Sequence, residues 1–289
     1  MRRIAAIALL LLVSLGSPAF AVTLVHQKDA LFAYAAVLAN EDAGSSTIVD
    51  YDEMRDVNGR DEIPERRVKN KYVSLGVRRV QKDLTLQTAA GAIRHVAVGQ
   101  TEGASLIVVY VHGQGGSRKQ GVDDFTFGGN FNRVKNLVAN SGGLYLSPDF
   151  SDFGAGGAAE VASLIMHYAD RSPGAEVFVA CGSAGGGICY ELAKNAEIAK
   201  RMGGLLLLGS LWDESYLSSP AFKRKVPIFF GHGGRDSVFD PASQKAFCQT
   251  IRQKSAGYPA RFVLFDDGSH GTPIRMTDWR ETLNWMLTQ

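Results

Sequence analysis

From Ser105 onward the chain alternates short apolar runs with stretches long enough for helices, and this alternation limits the possible folds more than any other feature. The runs fall at 106–111, 143–146, 177–180, 204–208, 226–230 and 262–265. Each has the length of a strand and is apolar on consecutive residues, as strands covered on both faces are. Between them, 158–168, 184–202, 241–255 and 277–287 read as helices. Asp240 and Pro241 mark one helix start, the first as cap and the second as first helical residue. The order predicts an α/β fold with a mostly parallel sheet and helices on both faces. The stretch between the runs at 204 and 226 is too short for a large cap domain.

The N-terminal part has a different character. Arg2 and Arg3 precede an apolar run over 4–15, and Ala19-Phe20-Ala21 supplies a small-x-small ending. This pattern predicts a secretory signal peptide over 1–21, cut after Ala21, so that the mature chain starts at Val22 and is secreted or periplasmic. The apolar run is shorter than the roughly 20 residues that a membrane span takes, so no stable span is expected; an uncleaved anchor is the rival reading. Residues 22–104 read as an N-terminal extension with the first strands, forming one domain with the core at 105–289. A short helix is expected at 28–40, a polar stretch at 41–70, and hairpin strands in 72–98, where Val73, Leu75 and Val77, then Leu84 and Leu86, alternate.

Charge excludes some partners. The 31 basic residues against 29 acidic ones become 29 against 29 once Arg2 and Arg3 leave with the leader. A neutral chain offers no general pull on nucleic acid or an acidic surface. The basic residues between Arg55 and Lys82 are interleaved with acids and read as a solvated face, with an anionic head group or glycan as the lesser alternative. No cysteine or histidine group has metal spacing, so neither metal nor organic cofactor is expected. Cys181, Cys189 and Cys248 leave at least one thiol unpaired, and the spacing does not decide whether two are joined.

The chemistry concentrates at Cys181-Gly182-Ser183-Ala184-Gly185. A strand runs into a sharp turn that opens a helix, and only small residues fit two positions either side of the apex. Such a turn exposes Ser183 and aims helix N-terminal amides at a developing oxyanion. Downstream, the run at 226–230 ends in Gly231-His232-Gly233-Gly234-Arg235-Asp236. The last run is followed by Asp266-Asp267-Gly268-Ser269-His270. A serine hydroxyl needs a base, an imidazole serves near neutral pH, and a carboxylate orients the imidazole.

In these residues the chain from about Ser105 resembles the α/β-hydrolase superfamily of serine esterases and lipases. The resemblance rests on the G-x-S-x-G turn, with Cys181 where glycine is usual, and on the order Ser, Asp, His, each after a strand. It implies Ser183 as nucleophile, His270 as general base and Asp236 as the orienting acid. After Val109-Tyr110-Val111, the loop His112-Gly113-Gln114-Gly115-Gly116 resembles the superfamily's oxyanion loop, which makes the N–H groups of Gln114 and Ala184 the expected donors. Rivals remain at each position: His232 for the base, Asp240, Asp266 or Asp267 for the acid, Cys181 for the nucleophile, and His112 for a catalytic rather than structural role. The implied activity is hydrolysis of a small-molecule or lipid-like carboxylic ester through an acyl-enzyme. Amide or peptide cleavage, and binding without catalysis on the same fold, are the alternatives. Phe125, Phe127, Phe131, Phe153, Trp212 and Tyr216 are expected near the mouth or in the core.

Overall fold

The computed structural model describes residues 22–289; the expected leader and its cleavage site lie outside the described residues. The N-terminal half contains α1 (Asp29–Phe32), β1 (Val37–Glu41), β2 (Ser46–Val49), the two-residue strands β3 (Asp61–Glu62) and β4 (Arg67–Val68), and the hairpin β5 (Gln81–Thr88) and β6 (Gly91–Gly99). Then come β7 (Leu106–Val111), α2 (Asn130–Asn140), β8 (Leu144–Pro148), α3 (Ala155–Ala169) and β9 (Glu176–Gly182). After these follow α4 (Gly186–Lys194), α5 (Ala196–Arg201), β10 (Met202–Leu208), α6 (Pro220–Lys223) and β11 (Ile228–Gly233). The chain closes with α7 (Pro241–Lys254), β12 (Ala260–Phe265), α8 (Thr272–Met276) and α9 (Trp279–Met286).

Ten strands form one sheet in the order β1-β2-β12-β11-β10-β9-β7-β8-β6-β5. From β2 to β8 every neighbouring pair is parallel, and antiparallel strands occur at the two ends. The six predicted apolar runs supply β7 to β12. Alternate side chains of one strand enter opposite layers. Ile107, Val109 and Val111 of β7 join the core under α3, α4 and α7, whereas Leu106, Val108 and Tyr110 join the core under α2 and α9. Both layers are apolar, which accounts for the unbroken runs in the sequence.

The extension contributes to both ends of this sheet, β1 and β2 beside β12, and β5 and β6 beside β8. Several expectations there need correction. The helix expected at 28–40 is confined to the four residues of α1, and Val37–Glu41 is a strand paired with β2. Short apolar runs fit either structure, and here an available sheet edge decides. Leu84 and Leu86 lie in the expected hairpin, but Val73, Leu75 and Val77 lie in or beside 3-10 turns. The Asn132 side chain binds the Ser74 backbone at both its N–H (2.8 Å) and its carbonyl (3.0 Å), so helix α2 takes the bonds a strand partner would make.

The helix expected at 184–202 is broken at Asn195, whose side chain caps α5 by accepting from the N–H groups of Glu197 and Ile198. Helix α2 is an addition, since its polar sequence gives little sign of burial. Lys135, fully buried, reaches Asp124 at 2.7 Å, and Arg133 reaches Asp278 at 3.0 Å. The basic run at 55–82 is not wholly solvated either. Arg60 is buried, with its guanidinium 5.1 Å from the Phe32 ring centre and 4.7 Å from that of Tyr72.

Candidate active site

Strand β9 delivers Ser183 at the C-terminal edge of the sheet. Its backbone has φ 52°, a left-handed conformation that non-glycine residues enter at a cost. The crowding around the turn follows from this geometry. A Cβ on Gly185 would lie 2.8 Å from the carbonyl oxygen of His112 and 2.9 Å from that of Val111. The Ser210 hydroxyl donates to the Ser183 carbonyl at 2.7 Å and holds the far side of the turn. Cys181 is neither a free buried thiol nor an available nucleophile. It forms a disulfide with Cys189 of α4, which ties the strand before the turn to the helix after it.

His270 lies on the loop after β12, and its Nε2 is 2.9 Å from Ser183 Oγ. Its Nδ1 lies 2.8 Å from Asp236 Oδ2. With the ring proton on Nδ1, as the carboxylate demands, Nε2 is free to accept the serine proton. Asp236, on the loop after β11, is buried yet well supplied with donors. Its Oδ1 accepts from the N–H of Val238 at 2.8 Å and of Phe239 at 3.2 Å.

A buried histidine beside this carboxylate was not expected from the sequence. His232 donates from Nε2 to the Phe239 carbonyl oxygen at 2.9 Å, and the same nitrogen lies 3.1 Å from Asp236 Oδ2, so the ring packs beside the carboxylate while its hydrogen bond goes to the loop backbone. Burial holds the His232 imidazole below its ordinary range and so neutral, a donor at Nε2. The only hint in the sequence is its place four residues before Asp236. The other rivals lie elsewhere. Asp240 caps α7 through the N–H of Ser243 at 3.0 Å, and Asp267 pairs with Arg235 at 2.7 Å. His112 stacks on Phe150 with centroids 4.3 Å apart and holds the Gly113 carbonyl, a structural place.

The glycine loop after β7 meets the elbow directly. A Cβ on Gly113 would come within 2.9 Å of Ser183 Cβ. The N–H of Gly116 donates to the Gly113 carbonyl at 3.0 Å, and Gly115 has φ 76°. These values describe a tight turn with a left-handed third residue, in which the amide of Gln114 takes no part in the closing bond. Ala184 is the middle residue of the 3-10 turn Ser183–Gly185 that leads into α4.

Of the six aromatic residues expected at the mouth or in the core, Phe131 and Tyr216 are fully buried and Phe125 packs in a small core with Phe32, Val68 and Tyr72. Trp212 packs against the main core. Phe153 sits edge-on to His112 at 6.2 Å, and Phe127 lines a cleft beside His270. Among the described residues no helix is long and apolar enough to cross a membrane.

No protein-family model and no curated protein matches the sequence. Solved structures do match. An α/β serine hydrolase without a lid from Xanthomonas campestris is 17% identical with a TM-score of 0.52, over 72% of this chain and 94% of that one. An α/β serine hydrolase homologue from Coxiella burnetii is 16% identical with a TM-score of 0.53, over 70% of this chain and 95% of that one. A thermostable esterase is 15% identical with a TM-score of 0.58, over 74% of this chain and 64% of that one. Identities this low speak for architecture, and together with the strand order and the strand-to-helix turn they establish that the chain has the α/β-hydrolase fold.

Proposed function

We propose that the chain is an exported serine hydrolase that cleaves a carboxylic ester through an acyl-enzyme. One observation carries the reading: Ser183 Oγ, His270 Nε2, His270 Nδ1 and Asp236 Oδ2 form a continuous line of contacts at 2.9 and 2.8 Å on three separate loops. In acylation, Ser183 Oγ bonds to the ester carbonyl carbon while its proton passes to His270 Nε2. The N–H groups of Gln114 and Ala184 are the candidate donors to the oxyanion. As the tetrahedral adduct collapses, the C–O bond to the alcohol breaks and the alcohol oxygen takes the proton from Nε2. Water then repeats the sequence to release the acid. Asp236 keeps the ring in its productive tautomer and stabilises the cation that forms. His232 holds the loop of that carboxylate through the Phe239 carbonyl.

The names of two similar structures, a serine hydrolase and an esterase, support the same class. The Cys181–Cys189 disulfide supports export, since such bonds persist in oxidising compartments. A fluorophosphonate probe, followed by a panel of esters and amides, tests the reading. The expected result is covalent labelling at Ser183 and turnover of esters that rises with pH as the base loses its proton. An unlabelled, folded protein without ester turnover would overturn it. N-terminal sequencing of the exported protein should begin at Val22.

A further inference from the structure

A cleft of about 360 Å³ opens beside the loop that carries His270, with the imidazole itself outside its lining. Ser269 and Gly271, the two neighbours of His270, form part of its wall. The opposite wall comes from the extension and includes Tyr51, Glu53, Glu65 and Arg66, with Phe127 and Arg275 completing it. The volume is at the low end of the roughly 300–1,000 Å³ of small-molecule sites, which suits one ring-sized group.

Backbone conformation sets this cleft apart. Eight described non-glycine residues have positive φ; one is Ser183, and Arg66 (φ 50°), Phe127 (φ 47°) and Asp267 (φ 58°) all line the cleft. Left-handed backbone costs energy at such residues and collects where side chains must be aimed for function. At Phe127 the turn presents the ring to the cleft, where it sits 3.7 Å from the position a Cβ would take on Gly271. The outer wall is also fixed. Arg275 of α8 is held by Asp61 at 2.6 and 3.1 Å and by the Asp56 carbonyl at 3.1 Å, which locks the extension to the helix following His270.

Position assigns the occupant. In the proposed reaction His270 gives its proton to the departing alcohol, so that alcohol stands on the His270 side of the reacting carbon. Chemistry narrows it further. The lining presents Glu53, Glu65 and Asp267 together with Arg66 and Arg275. A charged alcohol would meet its own sign there, and an alkyl chain would strip water from these groups without replacing its hydrogen bonds. A neutral polyhydroxylated ring can donate to the carboxylates, accept from the guanidinium groups and lay its C–H face on Phe127 or Tyr51. Resting on the hydrolase reading above, we propose that this cleft is the leaving-group subsite and that it selects esters whose alcohol is a sugar or similar polyol.

The test compares esters that share one acyl group. A monoacetylated methyl glucoside, propyl acetate and acetylcholine are assayed with the full mature chain and with Phe127→Ala and Glu65→Gln. The glucoside ester should be preferred in kcat/KM by about tenfold or more, the scale of one hydrogen bond to a charged group. Each variant should lower that preference, with a greater loss for the glucoside ester than for propyl acetate. Glu65 is exposed, so its variant remains informative if Phe127→Ala fails to fold. Fluorophosphonate labelling with no preference among the alcohols, or with a preference that both variants leave unchanged, overturns the subsite but leaves the hydrolase. Absence of labelling and of all ester turnover overturns both.

Discussion

Residues 177–289 hold the candidate triad and residues 50–80 wall the cleft beside the His270 loop, and the two are positioned by different means. In the first region each candidate side chain follows a strand buried on both faces. Its position depends on a few neighbouring residues: a tight turn at Ser183 and short loops at Asp236 and His270. In the second region regular strands are two residues long at most, and position depends on distant partners. Asp61 is held by Arg275, the Ser74 backbone by Asn132, and Arg60 by the rings of Phe32 and Tyr72. A frame of parallel strands thus provides the candidate chemistry, while a loosely patterned segment pinned to it provides one wall of the adjoining cleft.

The sharpest way to break this contrast is to remove the chemistry while leaving the fold. Ser183→Ala and His270→Ala should each lower turnover by on the order of 10⁶-fold, without the two losses adding in the double variant. Steady-state kinetics on esterase-free preparations decide it, and normal turnover by Ser183→Ala would end the hydrolase reading. A smaller loss, about 10⁴-fold, is expected for Asp236→Asn, which keeps the shape but favours the wrong tautomer of His270. Asp267→Asn should be mild by comparison, since its partner is Arg235 at the surface. The reverse ranking would move the acid to the loop of His270.

The second region should respond in stability first. Asp61→Asn leaves the buried Arg275 without its counter-charge, and breaking a buried pair costs about 3–5 kcal/mol. The denaturant midpoint measures it, and an unchanged midpoint would mean that the extension is not fixed through this pair. The smallest effect is expected at Cys248, where burial pushes the thiol up to about 12. A raised value keeps the thiol protonated at neutral pH, so iodoacetamide should leave the folded chain unmodified and alkylate one thiol after unfolding without reductant. Rapid labelling of the folded chain would show that α7 opens.

These differences also explain what the sequence discloses. The parallel strands and the three candidate triad residues are legible because each leaves a local mark: an unbroken apolar run, a small-residue turn, or a polar loop after a strand. Asp240 is legible as a cap for the same reason, since its partners are two and three residues away. Helix α2 is not, because its buried Asn132, Arg133 and Lys135 look like solvent-facing residues until their partners at Asp124, Ser74 and Asp278 are in place. The role of Phe127 is hidden likewise. Nothing near it in sequence indicates that its ring will face the loop of a histidine more than a hundred residues later.

The disulfide at the elbow has a consequence for anyone preparing this protein. Cys181 and Cys189 enclose Ser183 and the three successive glycines Gly185, Gly186 and Gly187 in one covalent ring. Glycines give an open chain many conformations to lose, and closing the ring removes a share of them before folding begins. Material made in a reducing host would start with the ring open and close it only on later oxidation, so its specific activity would record redox history as well as sequence. Titrating thiols in each batch, before any kinetic constant is compared, separates the two.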